Sequence, residues 1–196
     1  MKKVLVAGAV AALLLGGCSS DSDGHSSMNM NEDTSTSAIP ASADFNEADV
    51  AFAHGMIPHH EQAVEMAEAA ATQAGSQEVK DLAERIEAAQ GPEIAQMQGW
   101  LDAWGQGDGG GSMGDMGSMP GMMSDDDMGQ MMDASGIDFD QMFLEGMIRH
   151  HEGAVEMATD QLEDGKNEEA MALAEQIIEA QEAEIEEMQA LLDANG

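Results

Sequence analysis

The chain has 196 residues, with 39 Asp and Glu against six Lys and Arg and a formal net charge of −33 at pH 7. That length fits one domain plus tails, and a surface this acidic excludes nucleic acid and anionic lipid surfaces as direct partners. Composition is otherwise marked by 19 methionines, no tyrosine and a single cysteine.

The N-terminus has the layout of a signal peptide over residues 1–17: basic Lys2-Lys3, an apolar run from Val4 to Leu15, then small Gly16-Gly17. The apolar run is short for a mature bilayer span. Leu15-Gly16-Gly17-Cys18 resembles a bacterial lipoprotein box, which implies a lipid on Cys18 and a mature protein held outside the cytoplasm, at the cell surface or in the periplasm. An ordinary secretory leader with an incidental thiol is the plainer alternative. Lipidation uses the only thiol, so soft-ligand chemistry then falls to Met and His. Residues 18–43, rich in Ser, Asp, Asn and Thr, have little to bury and are expected to form a disordered tether.

From Phe52 onward the chain repeats itself at a constant offset of 91 residues. Phe52-Ala53-His54-Gly55-Met56-Ile57-Pro58-His59-His60-Glu61 returns as Phe143-Leu144-Glu145-Gly146-Met147-Ile148-Arg149-His150-His151-Glu152, and Gln90-Gly91-Pro92-Glu93-Ile94 as Gln181-Glu182-Ala183-Glu184-Ile185. This is an internal duplication. In the first copy, Phe52, Met56, His60, Ala63, Ala67 and Ala70 share one helical face, and the segment from Asp44 to Ala74 reads as a helix with Asp44 or Asn46 as its cap. Gly75-Ser76 turns the chain, and Gln77 to Trp104 forms a return helix whose face is Val79, Leu82, Ile86, Gln90, Met97 and Leu101. The second copy predicts helices from Ile137 to Glu163 and Asn167 to Ala194. Two helical hairpins, 44–104 and 137–196, each apolar on one face, satisfy each other by packing together. The expected fold is therefore all-α, a ferritin-like four-helix bundle with one long connection between its second and third helices.

That connection, residues 105–136, is Gly-, Asp- and Ser-rich and carries Met113, Met116, Met119 and Met122 at every third position, then Met123, Met128, Met131 and Met132. It lacks a helical or strand period and is expected to be disordered when free. Its sulfur atoms are candidate soft-metal ligands, since methionine is otherwise an odd choice for a solvated, oxidation-prone linker.

Helix rise fixes what the histidines face. At about 1.5 Å per residue from the turn, His60 lies level with Gln90 and Glu93, and Met56 near Met97. His151 likewise lies level with Gln181 and Glu184, and Met147 near Met188. Packing the copies about a pseudo-twofold axis brings two His, two Gln, two Glu and up to four Met to one layer, which must be satisfied internally or bind something. His59 and His150 sit at the edge of the inner face, as ligands or as groups that orient them. Thioether and imidazole without thiolate select Cu(I), with Cu(II) tolerated at the imidazoles. Structural zinc sites want Cys or more His, and the Glu-x-x-His pairs of di-iron bundles are missing, because Glu93 and Glu184 are followed three residues on by Gln96 and Glu187.

Met56-Ile57-Pro58-His59-His60 with Ala63-Val64-Glu65-Met66-Ala67, followed by Gln90, Glu93-Ile94, Met97 and Trp100-Leu101, closely resembles the family catalogued as domain of unknown function 305, across residues 45–194. The resemblance implies secreted or lipid-anchored bacterial proteins with a four-helix bundle, some of which bind copper outside the cytoplasm and take part in copper tolerance. It implies as ligands Met56, His59, His60, Met147, His150 and His151, with Met97 and Met188 from the return helices. The second copy departs from the family pattern at Arg149, where Pro is common, and at Leu191, where Trp is common; neither is a ligand type.

The sequence thus leads to an extracytoplasmic copper-binding lipoprotein that holds copper without catalysis. It needs no organic cofactor, takes metal ions as its partners and meets the membrane only through Cys18. No protein partner is indicated. Two other readings are a ferritin-like metal oxidase, disfavoured by the lack of Glu-x-x-His and Tyr, and a structural surface lipoprotein whose His/Met layer is only core.

Overall fold

Helix α1 (Glu47–Gln73) begins at Asn46, whose side chain accepts from the amides of Ala48 and Asp49 while the Asp49 carboxylate accepts from Asn46 N. This reciprocal cap satisfies amides that a helix start leaves without partners. Ser76 caps α2 (Gln77–Ala103) by accepting from Val79 N. The second copy forms α4 (Ile137–Asp164), which opens on Gly136 without a side-chain cap. It returns as α5 (Glu168–Asn195), ahead of which Asn167 accepts from Ala170 N. These helices come from a computed structural model that describes residues 44–107 and 119–195. The leader, Cys18, the tether, and Met113 and Met116 lie outside the described residues.

α1 lies along α2 and α4 along α5, and the hairpins meet chiefly through α1 and α4. The fold is the all-α arrangement of two hairpins that the duplication predicts. Its apolar core is split in two. One cluster contains Ala63, Met66, Leu82, Ile86, Phe143 and Met147; the other contains Phe52, Met56, Met97, Trp100, Ala158 and Ile177. On each long helix one group of buried polar residues falls between these clusters in sequence: His59 and His60, Gln90, His150 and His151, Gln181. The bundle therefore has a polar layer across its middle.

A second link between the copies went unforeseen. Asp49 is fully buried and accepts from Lys166 N (3.1 Å), Asn167 N (3.1 Å) and Gln161 Nε2 (2.6 Å), all in the second hairpin. Its repeat equivalent Asp140 accepts from Gly75 N and Ser76 N, both at 2.8 Å, in the first. Each copy's first-turn carboxylate thus holds the amides ahead of the other copy's return helix, where helix-terminal N–H groups favour negative charge. The surface link from α2 to α5 is different in kind. Arg85 donates to both oxygens of Glu187, but the two side chains are 52% and 46% exposed. Arg85→Ala is expected to change stability by less than about 1 kcal/mol in urea unfolding.

The connection departs from expectation. Instead of irregular chain throughout 105–136, residues Asp125–Asp133 form a helix, α3. Ser124 Oγ accepts from Asp127 N, and three aspartates occupy the first turn, where they favour the helix dipole. The missing aliphatics are replaced by methionine: Met131 is fully buried, Met123 is buried, and Met128 and Met132 pack on the first core cluster. Those four thioethers fill core. An excision of residues 113–132 would strip this cover from the first core cluster.

Candidate metal centre

The polar layer is built from paired helix positions. His60 Nε2 lies 2.7 Å from Glu93 Oε2, and His151 Nε2 lies 2.7 Å from Glu184 Oε2. Each of these pairs joins a first helix to its own return helix. Both imidazoles are fully buried, and the carboxylates reach the solvent edge at 21% and 18% exposure. Because a carboxylate accepts, each Nε2–H donates to its glutamate. Both Nδ1 atoms are buried without a partner. Imidazoles that bind metal through one nitrogen typically donate the other to a carboxylate in this way.

His59 and His150 are fully buried at the α1–α4 contact, not at the edge of a face as the helical period implies. Their ring centroids are 3.8 Å apart at an interplanar angle of 46°. The reason is that α1 and α4 each have two neighbours, a return helix and each other, so their buried arc is wider than one hairpin requires. His59 Nε2–H donates to Pro120 O at 3.0 Å, leaving Nδ1 unpartnered, and neither nitrogen of His150 has a partner. Burial lowers the His59 pKa to about 4, with the neighbouring His60 and His151 pushing in the same direction. Burial also holds His150 well below the usual imidazole value, reinforced by His59, His151 and His60. At neutral pH both rings are uncharged, the form that binds metal.

Met56, Met97, Met147 and Met188 are fully buried, but they do not share one layer. Met56 and Met97 belong to one apolar cluster, and Met147 and Met188 to the other. Gln90 and Gln181 are buried with their side-chain carbonyl oxygens unpartnered. Of the linker methionines, Met119 and Met122 are half-buried. Among the described residues no three His, Cys, Asp or Glu side chains are grouped to hold a metal ion, so a metal held in this layer would need donors beyond those types. Two imidazoles plus thioethers suit a soft cation.

Residues 119–123 form a strap over the histidines, which the sequence reading had no means to place. Gln62 pins it through both polar atoms of its side-chain amide: Nε2 donates to Met123 O at 3.1 Å, and Oε1 accepts from Met123 N at 2.8 Å. The repeat equivalent of Gln62 is Gly153, where a Cβ would collide with Pro120 O and Pro120 C. A Cβ on Gly121, at φ +76°, would likewise collide with Arg149 O. One copy clamps the strap and the other clears its path. Aligning the copies does expose the Gln62/Gly153 difference, although nothing in the sequence says what fills the space.

Residues 49–192 match the family described as Domain of unknown function (DUF305). A proposed secreted protein with this domain from Streptomyces coelicolor is 36% identical, covers 76% of this chain and 94% of its own, and superposes with a TM-score of 0.70. A DUF305 fragment from Deinococcus radiodurans is 31% identical over 76% of this chain and 97% of its own, with a TM-score of 0.69. CopM in its Cu(II)-bound form is 31% identical over 74% of this chain and 96% of its own, with a TM-score of 0.63, and the same protein has Cu(I)-bound, Ag-bound and apo structures of similar likeness. No curated protein matches the chain. With the duplicated Met-x-x-His-His blocks, the two-hairpin bundle and a match over most of its length, the chain belongs to the domain of unknown function 305 family.

Proposed function

We propose that this protein binds copper outside the cytoplasm and sequesters or buffers it, contributing to metal tolerance, without catalysing a reaction. The supporting observation is the set of buried imidazole nitrogens with no partner: Nδ1 of His59, His60 and His151 and both nitrogens of His150. A buried polar atom without a hydrogen bond costs about 1–3 kcal/mol, and five in one layer are poor design for a purely structural core. Cu(I) is the favoured cargo because the remaining donors are thioethers, with Cu(II) acceptable to the imidazoles. The likeness to CopM, whose structures include Cu(I)- and Cu(II)-bound forms, supports the same reading. Attachment to the membrane through a lipid on Cys18 rests on the Leu15-Gly16-Gly17-Cys18 box. No helix among the described residues is long and apolar enough to cross a bilayer.

The test is anaerobic competition titration with a Cu(I) chelator. His60→Ala/His151→Ala is expected to weaken copper binding by at least about 10- to 100-fold, the loss usual when groups around a metal are removed, while the helical circular-dichroism signal persists. Affinity and stoichiometry equal to the parent chain would remove the bundle from this reading.

A further inference from the structure

The duplication supplies its own comparison at the open end of each hairpin, where the first helix starts and the return helix finishes. In the first copy rings close that end. Phe45 stacks on Trp104 with centroids 4.8 Å apart, Trp100 lies 6.0 Å from Trp104, and all three pack in one apolar cluster with Ala53 and Leu101. The repeat equivalents of Phe45, Trp100 and Trp104 are Gly136, Leu191 and Asn195, so the second copy has no ring to put there. What it has instead is a cleft of about 230 Å³ between α4 and α5. Ile137, Leu144 and Leu192 give the cleft its apolar wall, and Gln141, Glu145 and Asp193 its rim. Asp140 also borders it, but that carboxylate is already taken by Gly75 N and Ser76 N. Ile137 is 64% exposed, the large apolar side chain left in solvent among the described residues. It stands where the first copy has its capping residue Asn46, at a helix start that favours polar side chains. An exposed aliphatic in that place breaks a local rule with no gain to the fold, as binding surfaces do.

We propose that this cleft docks an aromatic side chain of a different polypeptide, flanked there by lysine or arginine. The cleft is smaller than the roughly 300–1,000 Å³ of pockets that enclose a whole small molecule, so it suits one side chain. A ring is the occupant because rings close the equivalent end of the first copy. This chain has none to spare. Its four Phe and two Trp are all engaged: Phe52, Phe139, Phe143, Trp100 and Trp104 are buried, and Phe45 is stacked on Trp104. A second copy has the same rings engaged and the same net charge of −33, which repels its like. The flanking cations follow from Glu145 and Asp193 on the rim, neither of which is paired with a cation among the described residues. Metal binding plays no part in this docking.

The experiment follows the methyl NMR signals of Ile137, Leu144 and Leu192 in the full chain, titrated with the acetylated and amidated peptide Lys-Lys-Phe-Lys-Lys. Saturable shifts centred on these methyls are expected. Lys-Lys-Ala-Lys-Lys, which any acidic surface attracts equally, should bind there at least about tenfold more weakly for want of the ring. Glu-Glu-Phe-Glu-Glu should leave the methyls unmoved. Asn195→Trp places an indole at the repeat equivalent of Trp104 and should abolish binding by closing the cleft from within. Ile137→Lys removes apolar wall and adds a like charge, and should weaken the Phe peptide by about tenfold or more. Should the tryptophan variant unfold, the lysine variant at its exposed position decides. Equal affinity for the Phe and Ala peptides, shifts centred elsewhere, or binding untouched by Ile137→Lys overturns the site. Benzylamine binding as tightly as the Phe peptide would make it a pocket for a free aromatic amine and overturn the polypeptide partner. Concentration-dependent shifts of the same methyls in the chain alone, with dimers in sedimentation, would give the cleft to a second copy and do the same.

Discussion

Asp49→Ala is expected to lower the unfolding free energy by about 3–5 kcal/mol, and Asp140→Ala by about 2–3 kcal/mol, from the cost of stranding buried donors. Asp49 accepts from Asn46 N, Gln161 Nε2, Lys166 N and Asn167 N, whereas Asp140 accepts from Gly75 N and Ser76 N. An alanine leaves those donors facing a space that water does not readily reach. For a domain of this size the Asp49 change corresponds to a fall in Tm on the order of 10 °C, read from thermal or urea unfolding. The sign is informative. In a chain of net charge −33, deleting a carboxylate relieves repulsion and by that argument alone should stabilise the fold. An Asp49→Ala variant that melts at or above the parent temperature would show that general repulsion outweighs the local lock. Asp49→Asn should recover little, because its amide nitrogen is a donor placed among donors.

This lock also marks how far the sequence could be read. The register of the duplication placed His60 beside Glu93 and His151 beside Glu184, because helix rise alone sets those levels on two antiparallel neighbours. The long helices follow from periodicity and from turns at Gly75-Ser76 and Gly165. What stayed hidden depends on contacts between the copies. Asp49 and Asp140 look like ordinary acidic residues of a first helical turn, and only the docking of the other hairpin's turn explains their burial. His59 and His150 look peripheral until α4 closes on α1. The strap and α3 were invisible for a different reason: their apolar partner is methionine alone, set among Gly, Asp and Ser, so neither a helical period nor an aliphatic count reveals that Met123 and Met131 are core.

The metal-free protein is expected to lose stability as pH falls from about 6.5 toward 4. In the folded chain burial holds His59 near a pKa of about 4 and His150 lower than its ordinary value, against 6.5 for a free imidazole. Above pH 6.5 neither the folded nor the unfolded chain protonates these rings, so they add no pH dependence. Below it the unfolded chain takes up protons that the folded chain refuses, and folding weakens. For His59 the loss amounts to about 3 kcal/mol by the time pH reaches its folded value, and His150 adds to it in the same direction. The titratable groups facing the pair are His60 and His151, with Glu93 and Glu184 behind them. All of these are shared by parent and variant. The measurement is therefore the difference in unfolding free energy between the parent chain and His59→Gln/His150→Gln, across pH 7.5 to 4 in the presence of a chelator. That difference should fall steadily through the window. Net-charge repulsion weakens in both proteins as pH drops toward the isoelectric point of about 4.1, and being common to both it cancels from the difference. A flat difference curve would mean that the two rings reach protons in the folded state, and hence that the pair is not sealed as their burial implies. A falling one shows that two uncharged imidazoles are being kept side by side at a measurable cost, which metal binding would turn to use.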